Sequence, residues 1–468
     1  MISKYTKRYQ IYTVWYKNKL PLLFLTFQIH LPSPRFRRQT ISHTLLFIVT
    51  TCSLPVYFYL TLRAAGLVSN DENHRSPTFL FLNFATYIFS TRPVMERIYL
   101  DNAATTALDK EVLEAMLPYM TTHFGNPSSI YSYGRETRLA VENARKTVAK
   151  LLGAHPGEIF FTSCGTESNN TAILSAIRDS GCKHIITSPI EHHAVLHTVN
   201  HYTCGEITSG FVKLLPNGHI DLNNLEEQLA SAGKKSLVSL MHANNEIGNL
   251  LSINAVSALC KKYNAVFHSD CVQTVGHYPI DLSRIQVDFI SASGHKFHGP
   301  KGTGILYISR DIQAKPMIHG GGQERNMRAG TENVYGIVGF AKALELAMAN
   351  YEKDSAYIHG LKDYMIGQLQ ENIPGVGFNG DYNSSSLYTV LNVAFPPTEK
   401  SEMLLFNLDI NNICVSGGSA CSSGANQGSH VINAIGNDPD TMAIRFSFSR
   451  HNTKEEIDRV IMKLKELI

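Results

Sequence analysis

The chain has 468 residues, 44% of them hydrophobic and 17% charged, which fits a globular protein of two or three domains with a large core. Its net charge of +3 conceals a division: residues 1–94 hold 11 Lys/Arg and 2 Asp/Glu, whereas residues 95–468 hold 31 and 37. That mildly acidic body has no nucleic-acid-binding footprint.

Between Arg38 and Arg63 no Asp, Glu, Lys or Arg occurs, and Leu45–Leu62 is a borderline membrane span interrupted by Pro55. Arg35, Arg37 and Arg38 precede it, so the positive-inside rule would put everything after it outside the cytoplasm. The polar leader before it is too long for a signal peptide, and no A-x-A-like cleavage site is clear. Within residues 1–94 lie the sole tryptophan, Trp15, and only one glycine, Gly66. The composition changes at Met95, where Met95–Asp101 opens a strand. We read Met95 as the native start, residues 1–94 as a non-homologous extension (translated upstream sequence or a disordered segment), and a membrane anchor as not expected.

From Glu158 onward, apolar runs alternate with helical patterns. Ile159-Phe160-Phe161 leads to a helix at Thr166-Glu167-Ser168, and His184–Thr187 to one near His192-His193-Ala194. Leu237–Met241 ends at Asn244-Asn245-Glu246 and is followed by a helix over 255–263. Strands follow at 265–270, 287–292 and 304–308. Repeated βα units predict a mostly parallel sheet covered by helices, with ligands at the carboxyl ends of its strands. A long helical stretch over about 338–372 leaves this sheet. Beyond Pro374 come a strand at 389–394, a helix at 402–408, a Gly/Ser-rich loop, a strand at 443–447, and a last helix opened by the capping box Thr453–Glu456.

The polar residues at the strand ends carry the candidate chemistry. Cys164-Gly165-Thr166-Glu167-Ser168 sits at a strand-to-helix turn, where glycine and amide donors suit an anion as well as an ordinary βα turn. Asp270 ends a strand; it can cap a loop, or it can keep a pyridinium nitrogen protonated. Gln273 is within reach of a ring oxygen, and His192 begins a helix from which it can stack on a ring. Lys296 follows Ser293-Gly294-His295 at the end of an apolar run. An amine partly desolvated there loses its proton more easily and can form a Schiff base, which points to pyridoxal phosphate. No Walker loop occurs, and His295-x-x-His298 lacks a convincing third ligand, so no metal is expected.

Eight cysteines occur, at 52, 164, 182, 204, 260, 271, 414 and 421, none in a C-x-x-C pair. A chain this large needs no disulfide staples, so a reducing cytoplasm is expected. Seven of the nine residues of Ser416–Gly424 are Ser or Gly, which places Cys421 at the centre of an exposed loop. A thiol there suits a nucleophile that reaches in and carries cargo away. Arg445, on the next strand, can bind a carboxylate through two hydrogen bonds.

In order along the chain stand 100–106 (LDNAATT), 124–129 (FGNPSS), 166–168 (TES), 242–248 (HANNEIG), 293–296 (SGHK), 319–322 (HGGG), 327–331 (MRAGT), 418–421 (GSAC) and 444–447 (IRFS). Each is weak alone and the ordered set is specific. From about Arg97 to Ile468 the chain resembles the cysteine desulfurases of the NifS/IscS type, which turn L-cysteine into L-alanine and a protein persulfide. The resemblance implies an α/β, fold-type I PLP-dependent transferase. Its large domain (111–355) has a mostly parallel sheet covered by helices. A smaller α/β domain (356–468) carries the cysteine loop, and residues 95–110 join it.

The resemblance also implies roles. Lys296 forms the Schiff base with pyridoxal 5'-phosphate and then shuttles protons. Asp270 pairs with the pyridine nitrogen, Gln273 bonds the ring hydroxyl, His192 stacks on the ring, and Asn245 lines the cofactor. Gly165, Thr166, Ser293 and His295 hold the phosphate, joined by Thr331 of a neighbouring subunit, so a homodimer is implied. Arg445, helped by Asn126, binds the substrate carboxylate, and Cys421 takes the sulfur as a persulfide. The expected acceptor is an iron–sulfur scaffold or a tRNA-thiolation enzyme, without direct nucleic-acid contact. The sequence ends directly after its last helix, where housekeeping members continue into a scaffold-docking tail, so docking through such a tail is not expected. Cys164 and Cys271 stand where the family more often has Gly or Ala; they are spectators or off-pathway sulfur acceptors. The alternative activity is a PLP-dependent selenocysteine or cystine lyase. Intact mass of the protein from its native host should show a chain beginning at Met95; a mature chain that contains Trp15 would contradict the start-site reading.

Overall fold

The computed structural model describes the backbone of residues 8–16, 20–30, 40–48 and 58–62, and residues 97–468 apart from 384–385, 399–402, 418–427, 437 and 439–440. The chain divides into two units, Met1–Pro93 and Val94–Ile468. In the first, β1 (Arg8–Tyr16), β2 (Leu20–His30), β3 (Thr40–Ile48) and β4 (Phe58–Leu62) pair antiparallel in chain order. No helix among the described residues is long and apolar enough to cross a membrane.

The second unit is built on a seven-stranded sheet. Its spatial order is β6 (Ile159–Thr162), β12 (Gly304–Ile308), β11 (Phe289–Ser293), β10 (Val266–Asp270), β9 (Ser236–Ser239), β7 (His184–Thr187) and β8 (Thr208–Phe211). Only β12 runs antiparallel to its neighbours; the other pairings are parallel. Strands β9 to β12 are buried along their whole length, as a sheet covered on both faces requires. Successive residues serve opposite faces: Phe289 packs with Ile173, Val199 and Leu306, whereas Ile290 packs with Val148, Phe161 and Phe340.

Helices α1 (Lys110–Thr121), α2 (Ser132–Leu151), α3 (Gly165–Arg178), α4 (His193–Tyr202), α5 (Leu222–Ser231), α6 (Ile253–Lys262) and α7 (Val334–Ala349) accompany this sheet. The sequence reading did not include α1, α2 or α5, although α2 shows the helical period in its buried residues Thr137, Ala140, Val141, Ala144 and Val148. The long helical stretch expected over 338–372 consists of two helices. Asn350 (φ −104°, ψ 4°) caps α7 and opens α8 (Tyr351–Asn372).

In the smaller lobe, β14 (Val390–Phe395) lies between β13 (Gly377–Phe378) and β16 (Met442–Ser447), all antiparallel. Its remaining helices are α9 (Leu404–Ile410), α10 (His430–Ala434) and α11 (Lys454–Leu467). The Thr453–Glu456 capping box is present at the start of α11. Two residues, Ile98–Tyr99 (β5), pair in parallel with β15 (Ile413–Cys414). Met95 and Glu96, Glu402 and the loop 418–427 lie outside the described residues.

One turn of the larger lobe is held against its own preference. Glu324, Arg325 and Asn326 all have left-handed φ, at 43°, 57° and 68°, a conformation that costs a non-glycine residue about 1 kcal/mol or more. Arg145 holds the turn: its Nη1 and Nη2 donate to the two carboxylate oxygens of Glu324, each at 2.8 Å, and the amide of Phe161 donates to the same carboxylate. Both partners are buried, so removing Glu324 strips the buried Arg145 of its two-oxygen partner and leaves it only the half-exposed Glu142 at 3.1 Å and the Ile159 carbonyl. Glu324→Ala should therefore lower stability by about 3 kcal/mol, read as the urea unfolding midpoint.

Candidate active site

The carboxyl ends of β6, β7, β9, β10 and β11 converge on one cavity of about 240 Å³. Ten residues named from the sequence line it: Gly165, Thr166, His192, Asn245, Asp270, Gln273, Ser293, His295, Lys296 and Arg445. Parallel strands bring them together because each strand delivers its last residues to the same edge. Asp270 and Ser293 are the final residues of β10 and β11, and Lys296 closes the short 3₁₀ turn that follows Ser293.

The lysine amine is held by main-chain oxygens. Lys296 Nζ donates to the carbonyls of Ala103 at 2.6 Å and Ala104 at 2.9 Å. Gln273 Nε2 donates to the same Ala103 carbonyl at 3.0 Å. Asp270 Oδ2 accepts from Asn169 Nδ2 at 2.6 Å and Oδ1 accepts from the amide of Val272 at 3.0 Å. Both carboxylate oxygens are thus fixed in direction.

Arg445, 1% exposed, reaches the cavity from the smaller lobe. Its Nη1 donates to the Asn245 carbonyl and its Nη2 to Asp101 Oδ1, both at 2.7 Å. Its Nε has no hydrogen-bond partner among the described residues; neither do Ser293 Oγ and Asn169 Oδ1. Three buried polar atoms around one cavity therefore retain bonding capacity.

Burial keeps the histidines of this region neutral. It pushes His295 down to about 4, helped by the charge of Lys296, and its Nδ1 lies 3.1 Å from Thr105 Oγ1. His192 also moves down, chiefly by burial; the charge of Asp270 opposes the shift. Its Nδ1 accepts from the amide of Ala194 at 3.1 Å, which caps α4 and leaves Nε2 to carry the ring proton. The two extra thiols differ. Cys164 lines the cavity, whereas Cys271 is fully buried and pushed up to about 12 by burial.

Residues 98–460 match the family model described as aminotransferase class-V. The chain belongs to the class-V aminotransferase family. Within that family it is 45% identical over 377 residues to the cysteine desulfurase IscS of Dictyoglomus turgidum, covering 79% of this chain and 94% of that relative. Among solved structures it is similar to a NifS-like protein (38% identity, TM-score 0.73), covering 79% of this chain and 99% of that one. It is also similar to SspA in complex with cysteine (31% identity, TM-score 0.66), covering 76% and 100%.

Two described residues named from the sequence, Asn126 and Thr331, do not line the cavity of this aminotransferase-family chain. Asn126 is exposed in the loop before α2, where its Oδ1 accepts from the amide of Ser128. Thr331 is exposed beside a separate crevice with Glu324, Arg328 and Glu332. Cys421 lies outside the described residues. In return, Asn169, Asp101 and the carbonyls of Ala103 and Ala104 were not singled out by sequence. Asn169 sits one helical turn beyond Gly165, a spacing that could have flagged it.

Four histidines, His242, His268, His295 and His298, are pushed from an ordinary 6.5 down to about 4, in each case chiefly by burial. Above 6.5 both folded and unfolded forms are neutral. Below it the unfolded chain takes up protons that the folded chain refuses, so stability falls from about pH 6.5 down to about pH 4. Urea midpoints measured across that window should drop steadily; a constant midpoint would contradict the buried-neutral assignment.

Proposed function

We propose that the protein is a pyridoxal 5'-phosphate-dependent cysteine desulfurase that converts L-cysteine into L-alanine and leaves the sulfur as a persulfide on Cys421. The observation that carries this reading is one cavity that joins an amine, Lys296, to a carboxylate, Asp270, and to a guanidinium, Arg445, in a chain 45% identical to a cysteine desulfurase.

The residues present fit the cofactor. Ser293, 2% exposed, has an unpartnered Oγ. It lines the cavity with Gly165 and Thr166 of the first turn of α3, whose N-cap residue Cys164 makes no side-chain cap. Those first-turn amides suit the phosphate. Neutral His295 adds a donor or acceptor without adding charge. Asp270, its direction set by Asn169 and Val272, supports protonation of the ring nitrogen. Gln273 suits the ring hydroxyl, His192 the ring face, and Asn245 the cofactor's edge. When bound, the ring supplies an electron sink for breaking the carbon–sulfur bond.

The chain's own residues do the rest. Arg445 orients the substrate carboxylate through its Nε edge, whose Nε has no partner among the described residues. Lys296 moves a proton to and from the substrate carbon; its amine is directed by the Ala103 and Ala104 carbonyls. The Cys421 thiolate takes the sulfur and the carbon that loses it gains a proton, so L-cysteine and a thiol become L-alanine and a persulfide. Thr331 serves the phosphate of a second copy, which makes the working unit a homodimer. The persulfide then passes to an iron–sulfur scaffold or a tRNA-thiolation enzyme. Six described cysteines carry free thiols, which suits the proposed cytoplasmic setting.

Alanine release from L-cysteine is the direct test. The native protein with cofactor should release alanine, while Lys296→Ala and Cys421→Ala should each lose it by a factor of about 100 or more. Full release by Cys421→Ala would reduce Cys421 to a spectator and replace desulfuration by a direct lyase reaction.

A further inference from the structure

Lys296 is fixed by its main chain as well as by its amine, and the residue that does this takes no part in the roles above. The carbonyl of His295, just before the lysine, accepts from both the amide and the hydroxyl of Thr106, each at 2.9 Å. The carbonyl of Lys296 lies 3.0 Å from His277 Nε2. A carbonyl can only accept, so Nε2 carries the ring proton and Nδ1 is left as an acceptor. The hydroxyl of Tyr388 faces that acceptor at 3.3 Å and the carbonyl of His277 at 3.0 Å, so its single proton serves one or the other.

The loop bearing His277 has little freedom. Gly276 has φ +84°, and a Cβ there would meet the Phe297 ring at 2.4 Å, so the loop packs directly against the residue after Lys296. Tyr388 belongs to the smaller lobe and is 8% exposed. Its own loop is pinned twice: the amide of Leu387 donates to the Gly248 carbonyl at 2.7 Å, and Lys362 Nζ donates to Ser386 Oγ at 2.7 Å. The crevice behind the lysine is lined by His277, Lys296, Tyr388, Arg450 and Asp354.

We propose that His277 is a positioning residue for Lys296, hooking its main-chain carbonyl while the hydroxyl of Tyr388 of the smaller lobe holds residue 277 in place. Rotation of the 296–297 peptide would swing the lysine stem and take the amine away from the cavity. A donor at 277 prevents that rotation, and the hydroxyl of Tyr388 makes the restraint depend on the smaller lobe. This inference rests on Lys296 being the reacting amine.

The test uses the holoenzyme and separates kcat from KM for L-cysteine. His277→Leu should lower kcat about tenfold with KM within about twofold, because a misplaced group acts on the reacting step more than on substrate capture. It should also move the pH midpoint of the cofactor's visible absorbance, which reports the setting of the Lys296 amine. His277→Gln, which keeps an N–H donor, should restore both readings most of the way. Tyr388→Phe removes one hydroxyl with little change in volume and should lower kcat about threefold; it carries the test if the leucine variant fails to fold. Native kcat and midpoint in His277→Leu, or in Tyr388→Phe when the leucine variant does not fold, would overturn the proposal. So would a glutamine variant as impaired as the leucine variant. Alanine release by Lys296→Ala would instead overturn the assignment of the lysine itself.

Discussion

Seven residues, Leu100–Thr106, tie the candidate site together, because they bond to both lobes at once. From the smaller lobe, the Ser447 carbonyl accepts from Asn102, Ser447 Oγ accepts from the amide of Ala103, and Arg445 pairs with Asp101. From the larger lobe, Lys296 and Gln273 donate to the Ala103 carbonyl, and Thr106 donates to the His295 carbonyl. A main-chain carbonyl is a good partner for a lysine amine because it directs the group without offering a charge that would hold it permanently. The segment therefore sets the distance between the amine on the sheet and the guanidinium on the smaller lobe.

The cavity's electrostatics follow from the same arrangement. It is lined by one carboxyl, Asp270, one amine, Lys296, and one guanidinium, Arg445, each from a different strand or turn. The imidazoles around them stay neutral because burial disfavours their protonated form. Neutral rings can stack on or hydrogen-bond a ligand without competing for its phosphate or carboxylate charge. The arrangement places an amine and a guanidinium at two separate points of the cavity, Lys296 after β11 and Arg445 on β16.

Sequence reading served some parts of this chain better than others, for physical reasons. Strands β6, β7, β9, β10, β11 and β12 were legible to within two or so residues because each is a short apolar run, buried on both faces and bounded by polar ends. Nine of the ten cavity residues named from the sequence follow those ends, because parallel strands deliver their termini to one edge, whereas Arg445 lies on β16. The break at Asn350 was not legible, since apolar spacing continues through it and only the backbone angles at that residue reveal the turn. Asn126 and Thr331 were named by resemblance. They stand on exposed segments and do not line the cavity.

By itself the sequence determined the α/β class, the succession of strands and helices, and which side chains end the central strands, because these depend on local apolar periodicity and on residue type. It also determined the family, through short motifs in a fixed order. Tertiary structure alone decided that Ala103 and Ala104 hold the lysine amine, that Asn169 orients Asp270, that Asp101 pairs with Arg445, and that His277 and Tyr388 secure the lysine's main chain. Those contacts join residues 101 to 344 positions apart, or use main-chain oxygens that every residue possesses, and neither leaves a mark in local sequence.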